Sequence, residues 1–454
     1  MAKRIEKDLL GEMEIDESAL WGIHTQRALA NFNLSGYKIS PRLISALALV
    51  KKACMLSNFK LGYIEEKKAQ AILTACDEII NGTLNYAFIL DALQGGAGTS
   101  INMNMNEVIA NRALELLGEK KGSYKIIDPI ETVNMHQSTN DVFPTALKIA
   151  AINCIRELSS EIASLQGELQ KKEKEFSSIV KIGRTQMQDA VPITLGAEFG
   201  AFAEAFSRDR WRVFKCEERL RLVNIGGTAV GTALGAPRKY VFLVIEELRK
   251  LSGFGLARGE NLLDQTANND VFVEVSGILK ANAASLIKVS KDLRLLAMLG
   301  ELHLKPLQAG SSIMPGKVNP VALEAVIGCA LKVKANDVLI FDAVSNGTLQ
   351  INEYMPLIAF AMLESVNLLL NANKLLCEHI KDIRADERVC KELLYKSPGV
   401  VNAFLPLLGY KKIEEIINEA SNEKKDVIAV IEKHLGKEVV EQVLSSENLT
   451  RTLQ

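Results

Sequence analysis

The chain has 454 residues, 48% hydrophobic and 24% charged, with a formal net charge of −1. That length admits two or three domains and a large core, and the composition is that of an ordinary globular protein. Near-neutral charge leaves no electrostatic footprint for nucleic acid, and no uninterrupted apolar run reaches transmembrane length, so no membrane partner is expected.

The N-terminal MAKRIEKDLLGE is charged from its third residue and lacks the apolar core of a signal peptide. Cys54, Cys76, Cys154, Cys216, Cys329, Cys377 and Cys390 lie far apart, mostly inside apolar helical patterns, and no CxxC occurs. They predict buried free thiols in a reducing, cytoplasmic compartment. The five histidines form no HExxH or HxH pair, so no metal ion is expected.

Residues 1–141 read as a mixed, mainly helical N-terminal domain. It holds turn signals and helical runs such as LISALALVKKACMLSNFKLG, with GEKKGSYKIIDP (118–129) as a polar connection. Residues 142–395 read as a central helical bundle. Apolar residues recur at Ile155, Leu158, Ile162, Leu165 and Leu169, the alternating three-four spacing of a long packed helix. A second stripe runs through Val275, Leu279, Leu286, Val289, Leu293 and Leu296, with Asn282 in it. Further helices are expected over about 321–335 and 355–380. Narrow-faced helices of this kind are not stable alone, so they predict a bundle with partner subunits. Residues 396–454 read as a small C-terminal domain of short charged helices with SPGV and LGY turns. The expected fold class is therefore mostly α.

Four polar stretches interrupt these helices: QGGAGTSINMN (94–104), HQSTNDVFPT (136–145), GRTQMQDAVP (183–192) and GSSIMPGKVNP (310–320). Each offers hydroxyl or amide side chains with backbone N–H groups, and glycines let the main chain approach a ligand closely. Lys317 and Arg184 add positive charge. Taken singly, each has a plainer reading. Ser138, Thr139, Asn140 and Asp141 are all good helix N-caps, GGAG is a turn, and Lys317 is a surface lysine. Taken together, they suit a small dicarboxylate. Proton abstraction beside a carboxylate builds a dianionic, enolate-like species, and preorganised donors stabilise it best. A serine base needs its pKa lowered by roughly five units, about 7 kcal/mol; a closing Gly-rich loop supplies donors and excludes water, and Lys317 supplies the catalytic positive charge.

GSSIMPGKVNP resembles the signature loop of the aspartase/fumarase superfamily. GAGTS, STND and GRTQMQDA resemble that family's other segments in the same order, as do RIEKDLLGEMEI and GIHTQRA near the N-terminus. The resemblance covers nearly the whole chain. QGGAGTS and STND are similar to the aspartase branch, whereas VFPTA is closer to fumarases. The resemblance implies that Ser311 removes the β-carbon proton. It implies that Ser312, Thr99, Ser138 and Thr139 hold the β-carboxylate, and that Thr185, Lys317 and Asn319 hold the α-carboxylate. Asn140 and Gln186 match groups around the amino group. Glu324 matches an acid that pairs with a histidine in relatives, but Gln186 stands at that histidine's place, which argues against a proton relay. The implied reaction is L-aspartate to fumarate and ammonia by anti elimination through an aci-carboxylate, with no metal or organic cofactor. The implied assembly is a homotetramer with a twenty-helix core and sites shared by three subunits.

Several segments depart from the family pattern. AMLGELHLKPL before the GSS loop is shorter than the SGPRAGL-like stretch of relatives. GTALG replaces GTGLN, so Gly235 stands for an asparagine. NEYMP replaces an NVMEP-like segment and brings Glu353 and Tyr354. His136 stands where Ser or Cys is usual, and reads as a packed helix-start histidine rather than a ligand. These departures leave open a fumarase, or an ammonia-lyase for a substituted aspartate or related amino acid.

Overall fold

The structure, a computed structural model, describes residues 2–450. The chain begins with strands β1 (Lys3–Asp8) and β2 (Gly11–Asp16), then helices α1 (Ile23–Asn31), α2 (Pro41–Lys60), α3 (Glu66–Ile80), α4 (Thr99–Leu116) and α5 (Thr139–Glu175). Strands β3 (Val180–Thr185) and β4 (Gln188–Thr194), helix α6 (Leu195–Leu220), strand β5 (Leu222–Val223), helix α7 (Arg238–Ser252) and strand β6 (Ala257–Arg258) follow. Next come α8 (Leu262–Ala267), α9 (Asp270–Met298), β7 (Leu302–His303), α10 (Val321–Ser345), α11 (Met355–Lys381) and β8 (Arg384–Ala385). The chain ends with α12 (Glu387–Lys396), α13 (Leu405–Glu423), α14 (Val427–Leu435), α15 (Lys437–Val443) and α16 (Ser446–Thr450). The fold is mostly α, and among the described residues its strands form only two-stranded pairs.

These elements group into two compact units. The first comprises Met1–Glu157, Arg212–Lys280 and Lys332–Leu368; the second comprises Leu158–Trp211, Ala281–Leu331 and Leu369–Gln454. Both apolar stripes are buried as the spacing predicts: Ile155 to Leu169 on α5 and Val275 to Leu296 on α9. Helix α10 runs ten residues beyond the expected end at 335, as far as Ser345.

Polar pairs fix helix register inside each unit. In the first, Ser276 Oγ on α9 donates to Asp337 on α10 at 2.9 Å. Asn336 on α10 donates to Glu364 and Ser365 on α11 at 2.8 and 3.0 Å. In the second, buried Asn282 on α9 donates to Asp209 on α6 at 3.3 Å and accepts from Asn373 on α11 at 2.9 Å. A buried polar group needs partners, so this layer ties one alignment of three helices together. The C-terminal helices build a separate apolar cluster from Leu394, Val400, Phe404, Ile416, Ile431 and Val440, joined by Ile182 of β3.

Among the described residues, one helix, α11, is long and apolar enough to cross a membrane once a charged residue or two is tolerated, although 61% of that stretch is buried inside the protein. That burial is the habit of a core helix. All seven cysteines are free, and all but Cys329 are buried.

Two local features shape the start of α5. Pro144 lies inside the helix and removes the N–H that would bond the carbonyl of Asn140. The buried Asn224 supplies the missing donor, its Nδ2 reaching the Asn140 carbonyl at 2.9 Å. Gly98 precedes α4 with φ +94°, and a Cβ there would lie 2.7 Å from the Phe143 ring of α5. Conformation and space both demand glycine. Gly98→Ala is expected to cost roughly 1–3 kcal/mol, read as a lower denaturant midpoint with an unchanged slope.

Candidate functional site

In the first unit, the capping reading of STND holds for two of its residues. The Asn140 N–H donates to Ser138 Oγ at 3.2 Å, and the Ser138 N–H donates to Asp141 Oδ1 at 3.0 Å. This reciprocal pair is a capping box. Thr139 and Asn140 turn elsewhere. Thr139 Oγ1 accepts from Asn102 Nδ2 of α4 at 3.0 Å, and Asn140 Nδ2 donates to the Ala229 carbonyl at 2.7 Å. Residues 99–104 are not a loop: they are the first turns of α4, with Thr99 exposed at its start. The beginnings of α4 and α5 are therefore brought together, with Ala97, Thr139 and Asn140 lining one small cavity. Each offers the positive end of a helix to an anion.

Beneath these helix starts lies a polar network. Lys51 of α2 is 1% exposed. Its Nζ donates to Asn134 Oδ1 at 2.8 Å and Gln137 Oε1 at 2.9 Å. Asn134 Oδ1 also accepts from Asn102 and Asn106 of α4 at 3.3 and 3.2 Å. Burial pushes the Lys51 ammonium down to about 8. Asp141 is fully buried, and its Oδ2 accepts from the N–H groups of Gly226 and Thr228 at 3.1 and 3.0 Å. Burial pushes its carboxyl up to about 6, although its backbone hydrogen bonds pull the other way. His136 has φ +61°. Its Nδ1 lies 2.8 Å from Asn58 Oδ1, and its ring packs edge-on to Tyr63 at 4.8 Å and tilted to Tyr240 at 5.2 Å. Burial lowers its pKa. It is the packed helix-start histidine expected.

In the second unit, GRTQMQDAVP is a β-hairpin rather than a loop. Thr185 pairs with Gln188 across a two-residue turn. That turn is Gln186–Met187, with φ +51° and +60°. Such turns favour Asn and Gly. Non-glycine residues held left-handed cost of order 1–3 kcal/mol each and cluster at functional sites. Both Thr185 and Gln186 are exposed at this tip. The hairpin is anchored by Arg184, which donates to Asp189 at 3.0 Å and to fully buried Glu301 at 2.7 Å. Lys181 lies 2.8 Å from the other Glu301 oxygen and 2.7 Å from Glu198. Glu301 belongs to GELHLKPL, so the segment entering the GSS loop and the hairpin share one buried carboxylate.

The GSS loop is closed at its base. The Gly310 N–H donates to the Lys317 carbonyl at 3.0 Å, and Asn319 Nδ2 donates to the Gly310 carbonyl at 2.8 Å. A Cβ on Gly310 would sit 2.7 Å from that Lys317 oxygen. Ser311 Oγ accepts from the N–H groups of Ile313 and Met314 at 3.2 and 3.0 Å. Donors of this kind favour an oxyanion. Ser312 and Lys317 are exposed. Glu324, in the first turn of α10, pairs with Arg294 of α9 at 3.3 Å. Of the departures, Asn352 is buried, and Glu353 accepts from the Thr348 hydroxyl and N–H.

Thr99, Ser138, Thr139 and Asn140 thus belong to the first unit, and Thr185, Gln186, Ser311, Ser312, Lys317, Asn319 and Glu324 to the second. Sequence reasoning missed Lys51, Asn134 and Glu301. Lys51 had a signal: it follows Leu47 by four residues and precedes Met55 by four, which puts it on an apolar helix face. Asn134 and Glu301 had none.

The lyase family matches residues 11–335. The chain is 45% identical over 423 residues to an aspartate ammonia-lyase from a Bacillus species, covering 92% of this chain and 90% of that one. Among solved structures, a fumarate lyase:delta crystallin from Brucella melitensis superposes with a TM-score of 0.94 at 42% identity, covering 99% of each chain. A class II fumarase from Schistosoma mansoni gives 0.93 at 30% identity, covering 99% of this chain and 100% of the other.

Proposed function

The chain belongs to the aspartase/fumarase family of lyases, and we propose that it is an ammonia-lyase converting L-aspartate to fumarate and ammonia. The observation that carries this reading is the 45% identity with an aspartate ammonia-lyase over nearly the full length, against 30% with a fumarase.

In this reading Ser311 takes the proton from the β-carbon. The N–H groups of Ile313 and Met314 at its Oγ support it, because an alkoxide near neutrality needs such stabilisation. The electron pair moves into the β-carboxylate, and the aci-carboxylate is held by Ser312, Thr99, Ser138 and Thr139. The positive ends of α4 and α5 favour that extra charge. Lys317, Asn319 and Thr185 hold the α-carboxylate, whose charge does not change, so they serve binding and orientation. Asn140 and Gln186 face the amino group. Glu324 pairs with Arg294 and has no place in a proton relay.

Helix α10 supports assembly with further copies of the chain. It is apolar on several sides, and Leu331, Val338 and Phe341 are each more than half exposed. A helix apolar all round belongs inside a core or an assembly. We assign a homotetramer whose sites draw on three subunits, in a cytoplasmic compartment suited to the free cysteines. Along the chain we keep the division 1–141, 142–395 and 396–454, the last supported by the C-terminal apolar cluster.

A second reading rests on the NEYMP departure: Tyr354 is 45% exposed beside buried Asn352, and an altered wall there suits a substituted amino acid. The test is ultraviolet detection of fumarate from the purified protein, with L-aspartate and L-malate supplied separately. Fumarate from aspartate alone is expected. Fumarate from malate alone overturns the ammonia-lyase reading, and silence with both moves the search to substituted aspartates.

A further inference from the structure

A cavity of about 10 Å³ lies inside the first unit, where the starts of α5 and α9 meet the NEYMP segment. That is room for one water-sized molecule. Its polar walls are Thr139, Asn140, Thr266, Asn269 and Asn352, its remaining walls are apolar, and no charged residue lines it. Two of these polar groups are already satisfied. Asn352 donates to the carbonyls of Ala343 and Val344 and accepts from the Tyr354 N–H. Thr266 donates to the Leu262 carbonyl and accepts from Asn224.

Asn269 is the exception. It is 5% exposed, yet its side-chain amide makes no hydrogen bond to any described residue. It stands immediately before α9, where an asparagine normally caps the first N–H groups, and it does not do so. Asn140 uses only its Nδ2, on the Ala229 carbonyl, which leaves its Oδ1 available. Thr139 Oγ1 accepts from Asn102, and its one hydroxyl proton belongs to the β-carboxylate in the reading above.

We propose that this cavity receives the ammonia molecule released from the substrate, held by Asn269 and Asn140. The inference rests on the ammonia-lyase reading and deepens it. In that reaction the β-carbon proton passes to the Ser311 oxygen, and its electron pair is stored in the aci-carboxylate. The pair then forms the Cα=Cβ bond while the C–N bond breaks with its electrons on nitrogen. The substrate's ammonium group therefore leaves as neutral NH3, and the proton on Ser311 returns to solvent. L-Aspartate gives fumarate, NH3 and one proton. Neutral ammonia has three N–H donors and one lone pair. The Asn269 and Asn140 carbonyl oxygens accept from two of these donors, and an uncharged cavity suits it better than it suits a cation. Asn140, assigned to the amino group, stands at the cavity wall.

The test is steady-state kinetics in both directions with Asn269→Leu, which fills the cavity and removes the amide. In the reverse reaction, KM for ammonium is expected to rise about tenfold while KM for fumarate stays within about twofold. Forward kcat/KM for aspartate then falls by the same factor, because the overall equilibrium is fixed. An unchanged ammonium KM, or a fumarate KM that rises in parallel, overturns the proposal and leaves a water-filled packing gap. Should Asn269→Leu not fold, Asn269→Ala enlarges the cavity, and addition of methylamine to fumarate is expected to gain about tenfold relative to ammonia. No gain overturns the proposal. A wild-type protein that makes no fumarate from aspartate overturns the functional reading itself, and that is seen before any variant is made.

Discussion

Ser311→Ala lowers kcat for fumarate formation from L-aspartate by about 10²–10⁴-fold, with KM and oligomeric state nearly unchanged. The size follows from the role: a positioned proton acceptor contributes that much, and its removal acts on the transition state rather than on ground-state binding. Little structure is lost with the hydroxyl. Among the described residues Ser311 Oγ serves only the local N–H groups of Ile313 and Met314, while the loop base is closed by Gly310, Lys317 and Asn319. The measurements are fumarate absorbance and the sedimentation coefficient of the same preparation. Activity within tenfold of wild type removes Ser311 from the role of base and leaves the GSS loop a binding element.

The largest stability effect is expected at Asp141. Its carboxylate accepts from the N–H groups of Ser138, Gly226 and Thr228, and it is fully buried. Asp141→Ala orphans all three donors and takes away the carboxylate that offsets nearby Lys51. A loss of roughly 3–5 kcal/mol is expected, read as a lower thermal midpoint. Asp141→Asn keeps an acceptor and adds a pH signature. The folded-state pKa of Asp141 is raised to about 6 from 3.8. The pH-dependent part of its contribution to stability is therefore fully present below about 3.8 and lost as pH rises through about 6. That is about 3 kcal/mol across the window. The stability gap between wild type and Asp141→Asn should narrow between about pH 4 and pH 7. A gap that widens over that range shows that the ionised carboxylate is the favoured partner of the three N–H groups.

Most of the helical architecture was legible because it repeats. The stripes on α5 and α9 carry the same physical message every three or four residues, and a wrong residue or two does not erase it. The stop of α10 was misread because the helix stays apolar on several sides, so no periodic face runs out to mark its end. The polar stretches were legible as composition but not as conformation. TSINMN begins a helix because Gly98 turns the chain into α4, and GRTQMQDAVP is a hairpin because its cross-strand bonds outweigh the left-handed strain at Gln186 and Met187. Neither balance can be read from neighbours in sequence.

The mostly α fold, the long central helices and, through GSSIMPGKVNP and its companion motifs, the family can all be read along the chain. Each of these is written locally, in spacing or in a contiguous motif. Which polar residues are buried, and what they hold, emerges only when the helices pack. Lys51 reaches Asn134 from 83 residues away, Arg184 reaches Glu301 from 117 away, and Asn224 replaces the donor lost at Pro144 from 84 positions beyond Asn140. Burial is a property of the packed molecule. The cost of an unsatisfied polar group exists only there, so the networks beneath the candidate site have no signature along the chain.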